Sequence, residues 1–327
     1  MKNRVKFISL FLIVAMLLPS LLSCQREKKI LYSDNREIEN YAFYSLITQK
    51  SMTVSDDERS WHPRYVSFGE YPRTKKADDV TIWGDIAGDG YYLGSDGERY
   101  VKITANPART DTGYTKGEEY YFKVEPIYWQ VVEEWSLRKN GIDKNLENSM
   151  FLISRDVLDA REFDSLSNKW YESDMRTWLN GEFLSCAFTA PQEGIIPMAR
   201  INNSVFGTVT TAELEFDALL SEAKKNPYLC DDTSDKVFLP SRYERTFLLP
   251  PNNVTDYAIA RGYDNVDNVE LLRSPFRYGP KEVCAVVRRE ILMDKEYNTY
   301  SPAYTRIDNR TAGVRPALRL AIDIRKK

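Results

Sequence analysis

Strand-prone segments at both ends of the chain, with short helix-prone segments between them, predict an α+β fold and not an alternating βαβ one. Two further observations agree. Of 327 residues, 43% are apolar and 13% aromatic, which is a globular composition with material for one large core. No internal repeat and no Pro-Gly-Ser linker follows residue 60, so one domain over 61–327 is the simplest division. The formal charge is −3, from 45 Lys and Arg against 48 Asp and Glu, which excludes the global basic field of a nucleic-acid binder. There is one histidine, His62, and that excludes a multi-histidine metal site.

The first 23 residues read as an address. Lys2, Arg4 and Lys6 form a basic start, Phe7 to Leu18 is almost wholly apolar, and Pro19-Ser20 breaks the run before Leu21-Leu22-Ser23-Cys24. About a dozen apolar residues are too few for a good membrane span and suit the core of a signal peptide. The closing four residues resemble the lipobox of bacterial lipoproteins, with Leu at −3, a small residue at −1 and then Cys; Leu22 departs from the small residue commoner at −2. The resemblance implies cleavage of 1–23, acylation of Cys24 and attachment to a lipid bilayer, at about 0.8 kcal/mol per buried methylene. An uncleaved anchor or a plain secretory signal is the alternative. Removal of 1–23 takes the charge from −3 to −6. Residues 24–60 are tether and linker, with a short helix over Arg36 to Lys50 from the spacing of Ile38, Tyr41, Ala42, Ser45 and Leu46.

Within 61–327, Tyr65 to Gly69 reads as a strand running into a turn. Tyr91 to Leu93 and Glu98 to Ile103 form a hairpin about Gly94-Ser95-Asp96-Gly97. Glu119 to Lys123 and Ile127 to Glu133 are two alternating strands, and Phe151 to Ser154 is a short buried one. Ser173 caps a helix that Gly181 should stop. Thr189 and Gln192 have capping-box spacing. Thr210 to Lys225 reads as one helix with Phe216, Leu219, Leu220 and Ala223 on its buried face. Lys236 to Leu239 is a strand, and Thr255 to Arg261 is a helix ended by Gly262. Glu270 to Leu272, Val283 to Arg289 and Val314 to Ile324 complete the strands.

Seven phrases occur in order: Val66 to Pro72, Val124 to Trp129, Met175 to Asn180, Ala187 to Thr189, Asp235 to Ser241, Leu271 to Pro275 and Gly313 to Leu318. Together they resemble a bacterial domain family of unknown function, over nearly all of 61–322. That family looks distantly similar to the C-type-lectin-like fold and its formylglycine-generating branch. The resemblance implies a single lectin-like domain of short helices, antiparallel strands and long loops, with its first and last strands side by side. Formylglycine-generating enzymes use two nearby late cysteines to hold copper. Cys284 stands alone in that region, which argues against the oxidase chemistry.

Arg273 and Arg315 sit in the two late motifs, either to recognise an anion or to organise irregular chain. Tyr257, Tyr263, Phe276, Tyr278, Tyr297, Tyr300 and Tyr304 crowd the loop-rich late segment. They form either a ligand face, since Tyr offers flat apolar area with a polar handle, or a support for long loops. Asp85, Asp89 and Asp96 partly match a calcium loop, but Ala87 stands at a ligand position and no Glu closes it, so turn chemistry explains them equally well. Cys186, Cys230 and Cys284 allow one disulfide or three small buried hydrophobes. His62, between Trp61 and Pro63, lacks a nearby nucleophile motif.

The expected function is a non-catalytic, lipid-anchored binding module of the cell envelope, on the outer membrane or cell surface. Its ligand is a protein, a glycan or a cell-wall polymer, taken by the loops between about 240 and 312, with no cofactor and no nucleic acid. The alternatives are an envelope enzyme of the formylglycine-generating class and a purely structural envelope protein.

Overall fold

A computed structural model describes residues 65–85, 87–132, 149–245, 253–290 and 298–321, with the pairs 30–31 and 37–38. The expected signal peptide, Cys24, His62, Tyr297 and nearly all of the tether lie outside the described residues. Of the tether, β1 (Ile30–Leu31) pairs with β2 (Glu37–Ile38). Glu37 and Ile38 are therefore extended and not helical, because their backbone partners are in β1.

Next in chain order come β3 (Tyr65–Lys75), β4 (Ile82–Gly84), β5 (Tyr92–Gly94), β6 (Arg99–Thr104), β7 (Glu119–Val132), β8 (Ser149–Ser154) and β9 (Asp159–Ala160). They are followed by β10 (Ala199–Ile201), β11 (Thr233–Asp235), β12 (Val237–Phe238), β13 (Val269–Pro275), β14 (Glu282–Glu290), β15 (Asn298–Arg306), β16 (Gly313–Val314) and β17 (Ala317–Ala321). With short helices between them, the fold is α+β, and its sheets are antiparallel except where β13 pairs with β16.

The main sheet runs β12-β17-β8-β7-β6-β5-β4, and β3 lies on the remaining edge of β7. The two strands expected over 119–133 are one, because β3 runs beside the intervening residues and pairs Glu70 with Pro126. The opposite edge of β7 is shared by β6 up to Lys123 and β8 from Trp129. Pro126, which has no N–H for a ladder, falls in the interval between them. The hairpin turn is present, with Gly97 at φ +78° and the Gly94 N–H donating to the Glu98 carbonyl at 2.9 Å.

The expectation that the first and last strands are neighbours is corrected. β3 and β17 share the main sheet, but β7 and β8 separate them. β17 takes Phe238 and Ile153 on either side of Ala317, so both its edges are filled. The strand expected over 314–324 also divides. Val314 belongs to the second sheet, β15-β14-β13-β16-β9, and Ala317 to the main one, with Arg315-Pro316 as the crossing. Proline cannot donate to a ladder, which suits it to the step between sheets.

The helices depart from expectation at two places. Ser173 caps the first by accepting from the Arg176 N–H at 3.2 Å. The helical run then passes through Gly181 to Ala187, with its middle turn widened over Leu179–Phe183. Gly181 keeps a right-handed backbone because Leu179, Phe183 and Leu184 bury that turn in the core. The helix expected over 210–225 is two, Thr211–Glu215 and Asp217–Ala223, broken at an extended Phe216 (φ −107°, ψ 113°). Phe216 is 61% and Leu219 46% exposed, so only Leu220 and Ala223 of the expected face pack inward, against Val205 and Val209. The Thr189–Gln192 capping box and the Gly262 stop (φ +131°) form as expected, and Thr255 stands one residue ahead of the helix Asp256–Arg261 as its cap, accepting from the Ala258 N–H at 3.1 Å.

The core lies between the two sheets and these helices, around Trp129, Trp170, Phe122, Phe151, Phe163 and Phe238. Burial of each such side chain stabilises the fold by about 1.5–3 kcal/mol.

Candidate functional site

Arg273 and Arg315 turn out to be stitches between the sheets. The Arg273 guanidinium is 1% exposed and grips both carboxylate oxygens of Glu244, with Nη2 donating at 2.8 Å. Its Nη1 also donates to the Leu239 carbonyl at 2.8 Å, beyond the end of β12. Arg315, 2% exposed, donates from Nε to the Ser154 carbonyl of β8 at 3.0 Å and lies 3.4 Å from Glu270 of β13. Neither forms part of a ligand face, because each guanidinium is enclosed by the chain it organises.

The late aromatics divide in the same way. Tyr257 is core, edge-on to both Tyr71 and Phe122 at 5.5 Å. Tyr263 is core as well, packed with Val157, Ala160 and Ala258. As ligand-face candidates these two are corrected: the helix Asp256–Arg261 and its Gly262 turn direct both rings inward. Tyr300 is placed by its backbone on β15 opposite Arg288.

Phe276, Tyr278 and Tyr304 come together. β13 ends at Pro275, so Phe276 to Tyr278 form the turn into β14, and β15 returns Tyr304 beside Cys284. The Phe276 and Tyr304 rings stack at 4.2 Å with 18° between planes, and Tyr278 meets Phe276 at 5.4 Å and 68°. Tyr278 is 70% and Tyr304 56% exposed, an uncommon display for such large rings. The three line a cleft of about 240 Å³ whose other wall comes from helical residues 208–223.

That wall brings an ion pair that the sequence does not reveal. Arg242 lies 3.1 Å from Glu213, the capping-box residue whose Oε2 also accepts from the Thr210 N–H at 2.8 Å. Burial pushes the Glu213 carboxyl up, but the Thr210 N–H and the Arg242 guanidinium outweigh it and leave the group below its ordinary value. Glu213 is therefore ionised at neutral pH and complements Arg242. Arg277 adds a second guanidinium at the rim, 4.4 Å above the Tyr278 ring. Only pairings over 29 residues or more join Glu213, Arg242 and the aromatic turn, and no local signal could have found them.

Cys284 also lines the cleft. Burial pushes its thiol up to about 12, so it is protonated and not a nucleophile at neutral pH. Burial raises Cys186 and Cys230 as well, and all three are free thiols, so no disulfide joins them, while of the three only Cys284 is a fully buried hydrophobe. Asp85 spends its carboxylate on the N–H groups of Gly88, Asp89 and Gly90, and Asp96 accepts from the Tyr100 hydroxyl at 2.6 Å. Asp89 accepts from the Tyr91 N–H at 3.0 Å, so the stretch behaves as turn chemistry. Among the described residues no group of three His, Cys, Asp or Glu side chains could hold a metal ion, and no helix is long and apolar enough to cross a membrane.

A family model described as a domain of unknown function (DUF6273) matches residues 147–322, from the start of β8 through β17. No curated protein and no solved structure matches the chain.

Proposed function

The chain belongs to this family (DUF6273), and from that premise we propose that it is a binding module whose ligand docks in the aromatic cleft. The exposed Tyr304 ring stacked on a half-buried Phe276, extended by the exposed Tyr278, carries the reading. Flat rings held in place by one another offer apolar area at little conformational cost, which suits the apolar face of a sugar ring in a glycan or cell-wall polymer. The Arg242–Glu213 pair and Arg277 supply donors and acceptors around that shelf for hydroxyl groups. The protonated Cys284 in the cleft supports binding without covalent chemistry.

The Leu21-Leu22-Ser23-Cys24 sequence supports placing this module on the outer face of a membrane, held by acyl chains on Cys24. A lectin-like architecture rests on the layout alone, a loop-rich late segment after strands and two small helical runs; the pairing of the chain ends does not support it.

The test is a glycan array and an envelope pull-down with the purified chain, comparing it with Tyr278→Ala and Tyr304→Ala. Loss of one stacking ring should weaken a retained glycan about two- to tenfold. Retention that ignores both substitutions, or capture of protein partners only, would remove the glycan reading. Mass spectrometry of Cys24 from membranes tests the anchor separately.

A further inference from the structure

A second cleft, of about 330 Å³, shares no residue with the aromatic one and carries an unusual arrangement of charge. Three arginines line it, Arg161, Arg261 and Arg310, with Glu162 and Asp174. Two of the arginines have carboxylate partners. Arg310 lies 3.5 Å from Glu162, and Arg261 Nε lies 3.3 Å from Asp159, which is buried behind the cleft. Arg261 makes that contact through Nε, and among the described residues its terminal nitrogens have no hydrogen-bond acceptor.

Arg161 and Asp174 are left. The Arg161 guanidinium lies 4.2 Å over the Trp178 ring, and its Nε is buried without an acceptor. No carboxylate of the described residues reaches it. Asp174 begins the helix after Ser173; its own N–H donates to Asp164 at 2.9 Å, and no cation of the described residues pairs with its carboxylate. Each has a local reason for its place, since the indole face attracts a guanidinium and the first helical turn favours an acid. Neither reason accounts for two opposite charges lining one cleft that, among the described residues, form an ion pair neither with each other nor with a third charge. A guanidinium that stacks by its face keeps its in-plane fork for a planar oxyanion.

We infer that this cleft binds a zwitterion, an α-amino acid or a short peptide. The ligand carboxylate lies on the terminal nitrogens of Arg161 and Arg261, and its ammonium group on Asp174. Asn106 and Thr104 offer neutral hydrogen-bonding groups beside them, and Ala160 and Met175 an apolar floor. Asp174 also lines the adjoining cleft of about 580 Å³, which gives a ligand side chain room beside the ammonium group.

The experiment is calorimetric titration of the purified chain with the twenty free amino acids and with alanyl-alanine. Each binder is repeated with its amine acetylated, with its carboxylate amidated, and beside inorganic phosphate. At least one free zwitterion should saturate, and each blocked form should bind at least about tenfold more weakly. Arg161→Gln should abolish binding and Asp174→Asn should weaken it, with both variants checked for folding by circular dichroism. The blocked ligands test the claim on the unaltered chain, even where a variant fails to fold. No saturation by any zwitterion up to about 10 mM would overturn the inference. So would phosphate or an acetylated form binding as well as the free amine, because the cleft would then be a plain anion site. Neither result bears on the aromatic cleft.

Discussion

The Trp129 indole N–H donates to the Phe68 carbonyl at 2.6 Å, joining β7 to β3 where their ladder is interrupted. The register slips between Ser67 and Glu70, and a bulge there leaves backbone groups without a ladder partner. Trp129 is fully buried, so no water can take its place. Trp129→Phe keeps an aromatic ring and orphans the carbonyl. The expected loss is about 1–3 kcal/mol in urea unfolding, apart from any loss of packing. An unchanged midpoint would mean that the bulge satisfies itself.

Gly69 makes the same bulge, at φ +72°. A Cβ there would stand 2.5 Å from Phe188 Cε1 and 2.7 Å from the Ala187 carbonyl oxygen. Gly88, at φ +68° with open space around it, is the natural control. Both alanine variants incur the left-handed cost of about 1–2 kcal/mol, but only Gly69→Ala also displaces packed core. Gly69→Ala should therefore lower the melting temperature more than Gly88→Ala; equal shifts would show that Phe188 yields freely.

Arg273 of the Leu271–Pro275 motif and Glu244, three residues past the Asp235–Ser241 motif, form an enclosed pair that ties β13 to the chain after β12. Glu244→Ala leaves the guanidinium charged and enclosed, which should cost about 3–5 kcal/mol in unfolding free energy. The double variant Arg273→Met, Glu244→Leu should recover much of that loss, because it removes both charges together. Losses that simply add would sink the pairing as the source of the effect.

Cys284 gives the stability curve an alkaline edge. Burial pushes its folded thiol up to about 12 from an ordinary 9.0. Below about 9 both states hold the proton, and the preference of the fold for the neutral thiol is fully retained. As pH rises from there toward 12, the unfolded chain releases a proton that the folded chain keeps, so stability falls. Tyr257, also raised by burial, acts in the same direction. Urea midpoints of Cys284→Ala should decline less steeply between pH 9 and 10.5 than those of the parent. Parallel curves would mean that the thiol plays no part.

How far the sequence was legible follows from the range of each interaction. The 92–104 hairpin, the caps at Ser173 and Thr189 and the stop at Gly262 rest on neighbours within a few residues, and they were visible. The motif over Met175 to Asn180 was visible as a phrase, but its purpose was not. Arg176 and Asn180 reach 56 to 59 residues onward, to Asp235 and to the backbone of Lys236. The continuation through Gly181 is a tertiary choice that overrides local propensity, since Leu179, Phe183 and Leu184 bury that turn. In the aromatic cleft, Phe276, Tyr278 and Tyr304 stood out by composition. Arg242 and Glu213 did not, because only the fold makes them neighbours.

Asp159 couples the core to the arginine cleft. It accepts from the Tyr71 hydroxyl at 2.8 Å and holds Arg261 at 3.3 Å while itself only 1% exposed. Burial, and after it the Asp159 charge, raises the Tyr71 phenol well above its ordinary value, so it stays a donor at any ordinary pH. Tyr71→Phe removes one hydrogen bond to a charged group and should cost about 1.5–3 kcal/mol. Asp159→Asn preserves an acceptor of the same shape but strips Arg261 of its counter-charge. In a shared network the two losses should not add, and the double variant should be more stable than their sum predicts by about 0.5–3 kcal/mol. Unfolding free energies of the two single variants and the double variant close that cycle. Strict additivity would show that Tyr71 and Arg261 hold Asp159 independently of each other.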